Sequence, residues 1–199
     1  MDYNEIVEQF SAKIDSVKYT DTKKSWDVSD DITIGWRNVL PEPQKNTSKR
    51  TLMELEYLAN LTKNIDGADE HLIELVDNEP LDLFNDPLRR NNLSFDRSDF
   101  KKVWNVARPV IMNLKYQYNR ARPEQIAPFF GLTINVQKTS THQTPAYPSG
   151  HTAYTAFAAY LLADMYPRFS SEFFHQVGVA GYARCLQGVH YPSDNEASM

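Results

Sequence analysis

The chain has a single cysteine, Cys185, among its 199 residues. No internal disulfide can staple it, and cysteine used this sparingly fits a reducing compartment. It also lacks any run of the roughly 20 apolar residues that cross a bilayer; the most apolar stretch, Ala153 to Leu162, is closed by Asp164 and Pro167. A multi-span membrane protein is not expected. The opening residues, MDYNEIVEQF, are acidic and polar where an export signal is basic and then apolar, so the expected location is the cytoplasm. There is no excess of positive charge either: 21 Lys and Arg against 26 Asp and Glu leave a net charge of -5. That balance disfavours nucleic acid as a partner, because non-specific binding draws its affinity from neutralised phosphates. Repeats and low-complexity tracts are missing. What is present is an ordinary globular composition, 41% hydrophobic and 24% charged, too apolar for disorder and long enough to bury a real core.

The expected organisation is a single domain over 1–199, with an arm in 1–49 and a helical core in 50–199. Tyr3, Ile6, Val7, Phe10, Ile14 and Val17 recur at three- and four-residue spacing, which predicts one amphipathic helix. From Tyr19 to Lys49 the pattern dissolves, and Trp26, Ile32, Ile34 and Trp36 predict an ordered loop lying on a surface. Thr51 and Glu54 have capping-box spacing ahead of the stripe Leu52, Leu55, Leu58 and Leu61. Leu72, Ile73, Leu75 and Val76 predict a short helix ending before Pro80, and Pro80 and Pro87 bracket a loop. A helix from about Ser98 to Ala107 is expected, then a second that opens at Pro109 and reaches about Ala121. Glu124 to Tyr147 keeps no period and reads as a long loop, a feature that is often functional in compact domains. Helices from Ser149 to Met165 and from about Ser171 to Leu186 follow, so the class is all-α.

The sharpest chemical signal is Pro148-Ser149-Gly150-His151 at the start of an expected helix. Gly150 permits close backbone approach, and the first N–H groups of a helix have no internal partners, so this corner suits an anion. The bland alternative makes Ser149 an N-cap and His151 a surface residue. Basic residues decide between the two. Lys115 and Arg122, seven apart on one expected helix, would share a face. Arg184, His190 and Asp194 gather around a helix end, where Pro192 opens a new turn and a carboxylate bonded to one imidazole nitrogen would leave the other free to attack. Lys101 and Arg108-Pro109 repeat the spacing of Lys115 and Arg122-Pro123. The second copy is preferred because the long loop and the Pro-Ser-Gly-His corner follow it; Lys101 and Arg108 are then solvated or salt-bridged face residues.

Together, Lys115-x6-Arg122-Pro123, Pro148-Ser149-Gly150-His151 and Arg184-x5-His190-x3-Asp194 resemble the three-part signature of the type 2 phosphatidic acid phosphatase and vanadium-dependent haloperoxidase superfamily. In character the chain is most similar to its soluble class A-like non-specific acid phosphatases. The resemblance covers about the C-terminal half and implies a helical bundle of the acid phosphatase/haloperoxidase type. One position departs from the pattern: Ala183 stands where serine is usual.

The resemblance implies that His190 attacks phosphorus, Asp194 orients it, and His151 protonates the leaving oxygen and then activates water. Lys115, Arg122 and Arg184, with Ser149 and the Gly150 N–H, would hold the nonbridging oxygens. Three cations around a dianion would make a metal unnecessary, and His71, His142 and His175 are scattered, so no cofactor is expected. The implied activity is metal-independent hydrolysis of phosphomonoesters, or of pyrophosphate bonds, through a phosphohistidine. The expected partner is a small phosphorylated substrate, with a homo-oligomer left open. Two alternatives remain at this point: a vanadate-dependent haloperoxidase, in which vanadate replaces phosphate, and a noncatalytic phosphate-binding relative. Only Asn195 to Met199 follow Asp194. The last helix is therefore short for one that anchors a catalytic carboxylate; either another element, such as the N-terminal helix of its own or a neighbouring chain, is expected to close the pocket, or the chain is truncated.

Overall fold

The computed structural model describes residues 2–22, 24–26, 30–137 and 140–199, with side chains throughout except at 30–34 and 140. Among the described residues every regular element is helical, in agreement with the all-α expectation. The first helix, α1 (Tyr3–Asp15), begins at a capping box made by Asp2 and Glu5 and buries Ile14. A second helix, α2 (Asp30–Val39), occupies ground expected to be loop, and it packs on α6 below. Trp36 is exposed and Trp26 rests on Tyr116, while the side chains of Ile32 and Ile34 lie outside the described residues.

In α3 (Lys49–Leu61) the N-cap is Ser48 rather than Thr51. Leu55 and Leu58 of the predicted stripe are fully buried, and so is Thr51; Glu54, also outside the stripe, is largely buried. The next helix, α4 (Gly67–Asn78), is capped by Asp66 and stops before Pro80 as predicted. The stretch between Pro80 and Pro87 is not a loop: a 3₁₀ turn at Pro80–Phe84 runs into α5 (Asn85–Arg90), burying Leu81, Phe84 and Leu88. Both prolines stand in first turns, where a missing N–H costs no hydrogen bond, so they start helical segments instead of ending them.

The two helices expected around Pro109 are one, α6 (Arg97–Tyr118). Burial of Phe100 before the proline, and of Val110, Leu114 and Tyr118 after it, holds together a helix that loses one backbone hydrogen bond there. The expected loop after it contains α7 (Pro123–Ile126) and a 3₁₀ turn, Ala127–Phe130, whose Ile126 and Ala127 are buried with Ile14, Leu55 and Leu58. The most extensively paired helices are α8 (Gly150–Met165) and α9 (Ser170–Leu186), joined by the turn Pro167–Phe169. Alanines at 153, 156, 158 and 159 are buried along α8 and keep the side-chain layer thin. Around this pair, α4, α3 and α10 (Pro192–Glu196) pack on α9, and α6 packs on α8.

Candidate active site

Lys115 lies in the last turn of α6, but Arg122 is not on that helix. Asn119 adopts a left-handed conformation (φ 48°) that ends α6, and Arg122 becomes the N-cap of α7. The shared face predicted for the two cations is therefore replaced by a turn that aims both inward. Lys115 Nζ donates to the carbonyls of Pro145 (2.8 Å) and Ala146 (3.3 Å). Arg122 donates from Nε to the Thr144 carbonyl at 2.9 Å and from Nη1 to the Val189 carbonyl at 2.5 Å. Both cations are buried, and their backbone partners lock them in place. Burial, then the charge of Arg122, holds Lys115 well below the ordinary lysine range; burial, then Arg184, lowers Arg122 to about 10.

The Pro-Ser-Gly-His corner opens α8, yet its members divide. Gly150 and His151 line the cavity and Ser149 does not. Thr152 donates to Asn195 Oδ1 at 2.8 Å, so the 3.0 Å contact between Ser149 Oγ and Thr152 Oγ1 is a donation from Ser149. The Ser149 hydroxyl thus faces the helix interior, where it ties α8 to α10, and its N–H donates to the Asp194 carbonyl at 3.0 Å. A methyl group at Gly150 would stand 3.5 Å from Lys115 Cε, an ordinary contact, so glycine here keeps the cavity side of the backbone bare.

Helix α9 ends where Gly188 takes a left-handed φ of 75°, and a Cβ there would meet Ile134 at 2.8 Å. This turn delivers His190 to the pocket. His190 Nδ1 lies 3.2 Å from Asp194 Oδ2, and Nε2 lies 3.1 Å from Arg122 Nη1. Guanidinium can only donate, so Nε2 is the acceptor and the ring proton is on Nδ1, donated to Asp194. That tautomer leaves an unprotonated nitrogen facing the cations. Asp194 also accepts from the Tyr191 N–H (2.9 Å) and from Arg120 Nη1 (2.6 Å). Arg120, buried and stacked 3.9 Å over the Tyr191 ring, reaches toward Glu54 of α3 as well, and Glu54 accepts from the Ser193 N–H at 2.8 Å. Another element therefore supports short α10, and it is α3, whose Glu54 accepts from the Ser193 N–H and hydroxyl at the start of that helix. Ala183, in the place of the usual serine, packs with Val76 and Ala180.

One group in the site had no signal in the sequence. Asp77, near the C-terminal end of α4, accepts from Arg184 Nη1 at 2.7 Å and from Thr141 Oγ1 at 2.6 Å. Its carbonyl lies 3.3 Å from His151 Nε2. Arg184 consequently sits one layer behind the cavity wall, held by Asp77, although its buried Nε makes no hydrogen bond and remains a spare donor. Burial alone would raise the Asp77 carboxyl, but hydrogen bonds from Thr141 and Arg184 and the charge of Arg184 outweigh it, and the carboxyl is lowered. Only its contacts reveal Asp77, since nothing in its spacing to the motifs marks it.

The cavity that His151, His190, Lys115 and Arg122 share has a volume of about 560 Å³ and opens between α4, α6 and α8. Burial, followed by Arg184, lowers His151 to about 3; burial, followed by Arg122 and Lys115, holds His190 well below the histidine range. Both shifts link stability to pH. Below about 6.5 the unfolded chain takes up protons that the folded histidines refuse, so stability is complete above that pH and falls as pH drops toward 3. The slope approaches about 1.4 kcal/mol per pH unit for each residue. Urea unfolding between pH 7 and 4.5 should give a shallower decline for His151→Asn than for the wild type; parallel declines would show that the ring does not titrate this way.

Among the described residues, no three His, Cys, Asp or Glu side chains are grouped as metal ligands would be. No helix among them is long and apolar enough to cross a membrane. No curated protein matches the chain. Residues 103–199, which carry every cationic and catalytic candidate of the three motifs, match the family model of the PAP2 superfamily, so that part of the chain is similar to a superfamily of phosphatase and haloperoxidase-like chemistry.

Proposed function

We propose that the protein is a metal-independent phosphoric monoester hydrolase, acid phosphatase-like in character, working through a phosphohistidine on His190. The observation that carries this reading is the tautomer of His190: Nδ1–H is committed to Asp194, and Nε2 lies against Arg122 in a pocket that also holds Lys115 and His151. On substrate binding, Arg122 transfers its Nη1 donor from the imidazole to a phosphoryl oxygen, and Nε2 attacks phosphorus. The P–O bond to the alcohol breaks as His151 supplies the proton to the leaving oxygen. Water then attacks phosphorus, giving its proton to His151, and the P–N bond breaks to return His190 and release inorganic phosphate. Lys115, Arg122 and the Gly150 N–H stabilise the equatorial oxygens, with Arg184 joining them if Asp77 yields it. Burial, then the Arg184 and Lys115 charges, lower His151; a bound dianion offsets the charges, so phosphate and proton bind together, which favours acid pH.

Hydrolysis of p-nitrophenyl phosphate, inhibition by vanadate, and an alkali-stable phosphohistidine in a rapid quench would support this reading. Vanadate-dependent bromination without hydrolysis would replace it with the haloperoxidase alternative, and phosphate binding without turnover would replace it with the scaffold alternative. The choice between the two Lys-x6-Arg copies has its own test. Lys115→Met should lower kcat/KM for p-nitrophenyl phosphate by about 100-fold, the loss of one buried charge-assisted contact, and Lys101→Met by no more than about threefold. Equal losses would undo the assignment of Lys115.

A further inference from the structure

The discarded copy of the motif turns out to lie on the same cavity. Lys101 and Arg108 are both on α6, and seven residues is nearly two turns, so Lys101, Arg108 and Lys115 form a line at intervals of about 10 Å along one helix face. All three line the 560 Å³ cavity, with Trp104 and Ile111 between them and Tyr154 of α8 nearby. Lys101 and Arg108 were expected to be solvated or salt-bridged. They are exposed, but neither makes an ion pair or hydrogen bond among the described residues. Their neighbours on α6 do: Arg97 pairs with Asp82 at 2.7 Å and Lys102 with Asp99 at 2.6 Å. Of the acidic residues on the cavity wall, Asp77 is committed to Arg184 and Thr141, which leaves Glu79 as the carboxylate at the mouth against two unpaired cations. The cavity is also several times larger than one phosphoryl group fills and lies within the ~300–1,000 Å³ typical of small-molecule pockets.

We propose that Lys101 and Arg108 form a second anion subsite, and that the substrate is a bisphosphate whose two phosphates are separated by a carbon framework. This rests on the phosphatase reading of the His190 pocket. The near phosphate meets His190, Lys115 and Arg122; the far one is held by Arg108 and Lys101; and the framework lies against Trp104. Arg108 and Lys115 leave α6 about 10 Å apart, an interval that suits two phosphates set apart by a carbon framework.

The test compares glucose 1,6-bisphosphate, glucose 1-phosphate, glucose 6-phosphate and p-nitrophenyl phosphate on the wild type and on a Lys101→Gln/Arg108→Gln double variant. The wild type should favour the bisphosphate over both sugar monophosphates by about tenfold or more in kcat/KM, through KM, and the double variant should reduce that ratio to within about threefold. A wild type without preference, or a variant that lowers all four substrates alike, would overturn the subsite. If none of the four is hydrolysed, the phosphatase reading fails. The subsite is then judged by calorimetry: bisphosphate binding tighter than monophosphate binding and weakened in the double variant sustains it, and equal binding ends it.

Discussion

His190→Ala should reduce the turnover of p-nitrophenyl phosphate by about 10³-fold or more, the scale expected when a covalent nucleophile is removed from a unit that acts together. No other described side chain can take over the attack. His151 presents its Nε2 to the Asp77 carbonyl, and among the described residues no carboxylate contacts its other nitrogen, so it lacks the orientation and electronic support that Asp194 gives His190. Phosphate affinity should change far less, since Lys115 and Arg122 are anchored by backbone carbonyls that alanine at 190 leaves in place. Kinetics combined with vanadate binding on one preparation separates the two effects. Retention of more than about a tenth of wild-type activity would refute the assignment of His190.

Asp194→Asn should damage both activity and stability. The carboxylate receives Arg120, His190 Nδ1–H and the Tyr191 N–H, and it is fully buried. An amide has one acceptor oxygen to offer these donors. If that oxygen stays on Arg120, the amide N–H₂ faces His190 and selects the opposite tautomer, placing a proton on Nε2 where the lone pair is required. A wrong tautomer of this kind costs about 10⁴-fold in the Ser-His-Asp hydrolases, and a fall of about 10³–10⁴-fold is expected here. Meanwhile Arg120 keeps only Glu54, 3.5 Å away, as a compensating charge. Breaking a buried ion pair on one side typically costs about 3–5 kcal/mol. Urea unfolding should show that loss at neutral pH, and Arg120→Met in the Asp194→Asn background should recover part of it by removing the stranded cation. No recovery would mean that Arg120 is satisfied without Asp194.

Local pattern carried much of this molecule. The apolar run of α8, the end of α9 and Pro192 at the start of α10 are each set within a few residues, and so are the positions of Gly150, His151, His190 and Asp194 relative to those ends. Prolines are ambiguous in sequence because their effect depends on position: Pro80, Pro87 and Pro109 all lie within helical segments that tertiary burial sustains. Arg120 lies two residues from Arg122, and no motif spacing marks it. Its function as the partner of Asp194 emerges only when Asn119 turns the chain and brings α10 alongside.

By itself, the sequence determined the helical class, the three motif segments, and the chemistry available to them: two histidines, a carboxylate and three cations. These are properties of residue type and short spacing, which local helix geometry converts directly into faces and ends. Tertiary structure alone decided that Ser149 braces α8 against α10, that Arg184 stands behind Asp77, that α3 anchors the carboxylate helix, and that Lys101 and Arg108 share a cavity with Lys115. Those outcomes depend on contacts between helices far apart in the chain, where burial demands a partner for every charge and no local spacing says which residue will supply it.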